Sequence, residues 1–333
     1  MRVTVQTPRS RQRLVLAATC ASAVLLTITG SAGIQGSGRR MLIAVGPVTG
    51  STGVTIQVGS DQYWVAGATI RVDGKPAIAA QLRDGDVVTL QGSTSNTHVL
   101  DVASDVIFEG AVRGAVDAVD PANSSFLVLG QQVLVTSSTV FDPLLGSTGI
   151  SDLVAGALVE VSAVRNAEGN LIASRIDSRT AQAGSRVVGT ATHVDPVRST
   201  FNIGALTVDY RAATVSGALA AGEILIVDST SFANSGVLVA SQVSVQSPIK
   251  GLAGESGRFD GVITSLASPS YFEVNGIPVA VDSGTHLNLK GPLALDVSVS
   301  VSGTFDINGV LIADKVQTQR SDAQASVKAA APG

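Results

Sequence analysis

The chain reads as all-β, a tandem run of small five-stranded barrels of the OB type, with small β-sandwiches as the alternative. Three observations predict this. First, a short block recurs: Ala-Ser-Asp-Val at 103–106, Ala-Ser-Arg-Ile at 173–176, Ala-Ser-Gln-Val at 240–243 and Ala-Asp-Lys-Val at 313–316. The alanines are 70, 67 and 73 residues apart, the size of a small domain and not of a solenoid turn. Second, the apolar runs are short, rich in Val, Ile, Leu, Thr and Phe, and separated by turn residues; no helical period longer than a turn or two is visible. Third, five strands in so short a unit suit a closed barrel better than a sandwich, which takes about seven strands and about 100 residues.

The N-terminal segment comes first. Residues 2–13 hold four Arg and no acid, Leu14 to Thr29 are almost wholly apolar, and Gly30, Ser31, Ala32 and Gly33 are small. This is the order of a secretory leader, expected to be cleaved near Ala32. An uncleaved anchor over residues 14–29 is the alternative, placed second because this run falls short of the roughly 20 residues that span a bilayer comfortably. Cys20 sits mid-run behind Leu16-Ala17-Ala18-Thr19, which is not a lipobox, and it is the only cysteine, so no disulfide framework exists. A linker is expected over 33–40. Repeats follow at 41–108, 109–180, 184–247 and 254–318, and a patternless tail at 319–333 is expected to be disordered.

Within the repeats other landmarks keep step. Phe126, Phe201 and Phe272 each lie 13 residues before a Thr (Thr139, Thr214, Thr285) and seven before a Val (Val133, Val208, Val279). Leu82, Leu153, Leu219 and Leu293 precede the repeated Ala by 20 or 21 residues. The stretch from Thr to Leu varies, 14, 5 and 8 residues in repeats two to four, and reads as a loop that tolerates insertion. In repeat two the strands are expected near 110–119, 125–129, 132–136, 157–164 and 171–177. Asp120-Pro121 and Asp195-Pro196 stop the first strand, because Pro cannot donate to the ladder. Gly50, Gly114, Gly189 and Gly261, in or near that strand, mark bulges or sharp bends.

The opening Gly46-Pro-Val-Thr-Gly50-Ser, the turn Gly114-Ala-Val-Asp-Ala-Val-Asp120-Pro121, the step Leu153-Val-Ala-Gly156 into Val-Glu160-Val, and the closing Leu171-Ile-Ala-Ser-Arg-Ile176 together resemble a bacterial envelope family known only as domain of unknown function 5666. Repeats three and four depart from the pattern at Gly222-Glu223 and Asp296. The resemblance implies an exported, repeated β domain and no reaction.

Composition excludes several functions. Six Arg are the only charged residues before Met41, so the remainder carries 16 basic and 26 acidic side chains, a net of -10. Nucleic-acid binding is not expected of such a surface. Aromatics are 4%, too few for sugar-stacking platforms. No nucleophile elbow, Walker loop or dinucleotide fingerprint occurs. His98, His193 and His286 occupy non-equivalent positions in the repeats and are not at ligand spacing. Asp84-Gly85-Asp86, with Asp101, Asp105 and Glu109, could offer oxygens to a cation, but Asp84-Gly85 reads more simply as a turn. The expectation is a non-enzyme without cofactor or metal, periplasmic or extracellular. It would bind an unidentified envelope protein or polymer and touch a membrane only through its N-terminal segment.

The candidate interaction surface is the outer face of the second and third strands. Alternation puts Phe126, Val128, Val133 and Val135 inward and Leu127, Leu129 and Leu134 outward. The equivalent positions in repeats three and four are Asn202, Gly204 and Asp209, and Glu273, Asn275 and Ala280. Repeat one places Trp64 at the position of Leu134. An apolar patch here is expected to be covered, by repeats one and two packing together or by a loop, or else to bind a partner.

Overall fold

The structure, a computed structural model, describes residues 40–95, 100–146, 149–230, 236–246 and 249–319. The segment expected to be a leader, and almost all of the expected linker and tail, lie outside the described residues. Each repeat closes a five-stranded barrel. In repeat two the strands are Val112–Asp120, Ser125–Val128, Gln131–Leu134, Leu158–Arg165 and Leu171–Ser178. The first pairs with the second, the second with the third, the third in parallel with the fifth, the fifth with the fourth, and the fourth back onto the first. Repeat one follows the same circuit from Met41–Ser51 and repeat four from Ser256–Ser268. In repeat three the fifth strand is interrupted, as Val237–Val239 and Gln242–Val245. The OB-like expectation therefore holds over the sandwich alternative.

The periodic landmarks are where the circuit closes. Phe126, Phe201 and Phe272 are buried, as are Val133, Val208 and Val279 and the repeated Ala103, Ala173, Ala240 and Ala313. The Thr139 hydroxyl donates to Ala173 O at 2.7 Å and the Thr285 hydroxyl to Ala313 O at 2.6 Å. These bonds pin the segment before the variable loop to the fifth strand, which explains why Thr and Ala recur together. That segment is itself a short strand, parallel to the fifth: Val140–Phe141, Thr214–Ser216 and His286–Asn288. In repeat one it is a hairpin, Thr69–Val72 with Lys75–Ala77, turning at Asp73-Gly74. Both turn residues have positive φ, 51° and 75°, the reason an Asp-Gly pair suits the turn.

A bulge follows Gly114, Gly189 and Gly261, and in repeat one the equivalent glycine is Gly46, not Gly50, which sits in the bulge itself after Val48. The glycine itself leaves a notch in the barrel wall, and each notch is filled differently. A methyl on Gly114 would lie 2.8 Å from Leu129 Cγ. Asn275 fills the notch at Gly261, Ile203 with Arg165 of repeat two the one at Gly189, and Asp260 of repeat four the one at Gly46.

Repeats do not follow one another in a line. Repeats one and four share a sheet through parallel pairing of Leu42–Val45 with residues 256–259. Repeats two and three share another through antiparallel pairing of Val112 and Arg113 with Val187 and Arg186. Repeats one and two meet without strand pairing. Strand pairing therefore joins four to one and two to three, and repeat two also touches repeat four, where Ala167 N donates to Asp296 Oδ1 at 2.8 Å.

Candidate interaction surface

Trp64 ends the third strand of repeat one, with Tyr63 and Val65 buried on either side of it, as alternation requires. Its own side chain is 43% exposed. Leu127 is 39% exposed and Leu134 is half-buried. Leu127 borders a shallow groove of about 230 Å³ with Ala118, Val119, Asp120, Phe126 and Gln132. That is below the roughly 300 Å³ at which small-molecule pockets begin.

Two corrections apply. Leu129 does not face outward: it is completely buried and belongs to the shared core of repeats two and three. It sits at the hairpin turn after the second strand, with φ +50°, followed by Gly130 at +66°. A turn breaks strand alternation, so the side chain swings over Gly114 into the core. Nor do repeats one and two cover Trp64 with Leu134. These residues belong to different sheets, and the seam between repeats one and two is polar. The Ser174 hydroxyl donates to Gly85 O at 2.6 Å, Val87 N to Ser162 Oγ at 2.7 Å, and Arg175 Nη1 to Asp84 O at 2.9 Å. Arg83 pairs with Asp177 at 2.9 Å. Gly85 is the turn expected of Asp84-Gly85, with φ +91° and Ser174 O 2.7 Å from where a methyl would stand.

Sequence reasoning missed the densest group of charges. Asp73 projects from its hairpin tip into the junction of repeats one, two and three. Arg113 Nη1 of repeat two donates to Asp73 Oδ2 at 2.6 Å and to Glu160 Oε1 at 2.9 Å. Arg186 of repeat three reaches Asp73 Oδ1 at 2.7 Å and grips both oxygens of Asp228 at 2.8 and 3.1 Å. Arg179 pairs with the far oxygen of Glu160. Glu160 is 2% exposed. Burial, with Asp73 adding, pushes its carboxyl above the usual range. Burial works against ionised Asp73 too, but Arg186 and Arg113 outweigh it and hold that carboxyl low. Half-buried Glu109, on the connector, is raised by burial despite Arg186. The Asp-Gly hairpin signal was available; the pairing of Asp73 with arginines 40 and 113 residues away was not.

His193 and His286 are exposed, and His98 lies outside the described residues. Asp86 is buried, accepts from Arg83 N at 2.8 Å, and is pushed by burial to about 6. Among the described residues no group of three or more His, Cys, Asp or Glu could hold a metal, and no helix is long and apolar enough to cross a membrane.

Fold and surface define a class: interlocked small β-barrels joined by shared apolar cores and by buried polar junctions. The family model described as domain of unknown function (DUF5666) matches residues 113–177 and 260–317, the bodies of repeats two and four. Repeat four is matched despite Asp296, whereas repeats one and three lie outside the matched regions. Comparison with curated proteins finds no match.

Proposed function

We propose that this chain is an exported, non-catalytic binding or scaffold module of the cell envelope, periplasmic or extracellular. The observation that carries the reading is the division of labour on its surface. The seam of repeats one and two is closed by polar bonds, the Asp73 junction by buried charge, and the pairings of one with four and of two with three by shared apolar cores, while several large apolar side chains remain exposed outside them. Trp64 at 43% and Leu127 at 39% exposure stand on two different barrels. An exposed Trp is the kind of anchor that supplies the energy of protein contacts, and Leu127 adds apolar area. The basic, apolar, small-residue order of residues 2–33 supports export.

Two measurements test this. Mass spectrometry of the chain recovered from the envelope is expected to show a terminus near residue 33; an intact Met1 would replace cleavage with an anchor. Affinity capture from envelope extract with the tagged mature chain is expected to retain a partner, and Trp64→Ser with Leu127→Ser to lose it. Equal capture by the double variant would sink the assignment of this surface.

A further inference from the structure

Asp260 lies in the first strand of repeat four, beside the parallel pairing that joins repeats one and four. It is 6% exposed. Its side chain seats against two glycines of repeat one: a methyl on Gly46 would stand 2.9 Å from Asp260 Cβ, and one on Gly59 would overlap the carboxyl. Its polar partners are neutral. Gln319 Nε2 donates to Oδ1 at 2.8 Å, and the Ser300 hydroxyl also bonds the carboxyl.

The surrounding charges offer no compensation. Met41–Ser51, Val87–Ser93 and Ser298–Phe305 carry none. The hairpin after Gly59 contributes Asp61, which repels. On its own strand, the Arg258 guanidinium is engaged by Asp101 at 2.6 Å and by Tyr63. Asp73, Glu160 and Asp177 at the other junctions each have an arginine in contact, whereas buried Asp86, like Asp260, has no guanidinium paired with it.

We propose that Asp260 makes the seam between repeats one and four a proton-operated latch, closed when the carboxyl is neutral in its glycine notch and loosened when it ionises. Burial, reinforced by Asp61, pushes the group up to about 6. The sign follows: the folded seam prefers the protonated form, so its contribution is full below the ordinary carboxylate range and is lost as pH rises through about 6. An opened seam returns the carboxyl to its ordinary value near 3.8.

Hydrogen exchange on the full chain, corrected for intrinsic rates, reads the latch locally. Between pH 5 and pH 8 the amides of residues 42–45 and 256–259 are expected to lose about tenfold protection. Residues 225–228 of repeat three, away from this seam, are expected to lose far less. Asp260→Asn should abolish that local loss. A loss that persists in Asp260→Asn, or a flat wild-type profile, overturns the latch. A carbon-detected titration of the Asp260 carboxyl in the unmutated chain is the second measurement. A midpoint near 6 supports the latch, and one below about 4.5 overturns it whatever the variant does.

Discussion

Replacing Arg113 with Met is expected to lower the unfolding free energy of the full chain at pH 7 by about 3–5 kcal/mol. The reason is geometric. One guanidinium nitrogen lies between Asp73 and Glu160, at 2.6 and 2.9 Å, and Glu160 is 2% exposed. Without it two carboxyls face each other away from water, and Arg186 and Arg179 are left to neutralise one each from the far side. Because Asp73 belongs to repeat one and Arg186 to repeat three, the loss falls on the contacts between repeats. Urea unfolding should therefore split into more than one step. Neutralising the set together, as Asp73→Asn, Arg113→Met and Glu160→Gln, should recover most of the loss, since an uncharged cluster leaves no buried charge uncompensated. A change below about 1 kcal/mol for Arg113→Met would show that the junction is hydrated and weak.

The second large effect is at Leu129, where Leu129→Ala should cost about 2–5 kcal/mol, the range of a buried leucine whose site cannot collapse. Collapse is hindered because the partner is Gly114, which has no side chain to move into the space. Leu129→Asn is expected to cost less. Asn tolerates the left-handed turn conformation, which costs leucine about 1–2 kcal/mol. At the equivalent position Asn275 accepts from Val262 N at 3.2 Å and donates to Asp260 O at 3.3 Å, and the same backbone groups exist at Ala115 and Arg113. Denaturant midpoints of the two variants check the order; Ala more stable than Asn would refute the notch-filling account.

Leu129 also shows what could be read in the sequence. The repeat and its inward residues were legible because Phe, Val and Ala recur at fixed spacing and occupy equivalent places in each barrel. The turn was legible as well: Gly204 and Asn275 at the same register are residues that favour positive φ. Strand alternation was carried one residue too far, past the point where the chain turns. The charged junction was not legible for a different reason. Asp73, Arg113, Glu160, Arg179 and Arg186 hold different places in different repeats, so no periodicity connects them. Their meeting depends on how whole barrels pack. Parallel pairing of repeat one with repeat four was hidden likewise, since neighbours in sequence were expected to be neighbours in space.

That pairing decides how the molecule carries a mechanical load. The first strand of repeat one runs parallel to the first strand of repeat four, which is antiparallel to Ser298–Phe305, itself antiparallel to Leu311–Thr318. The opening and closing strands of the barrel region therefore point the same way. Tension between Arg40 and Gln319 drags them in opposite directions along their lengths. It loads the rungs between these strands in shear, so that they must fail together and not one after another. Repeats two and three lie outside that run of paired strands, and reach it only sideways, through Asp73 with Arg113 and Arg186, the seam at Gly85, and Ala167 with Asp296.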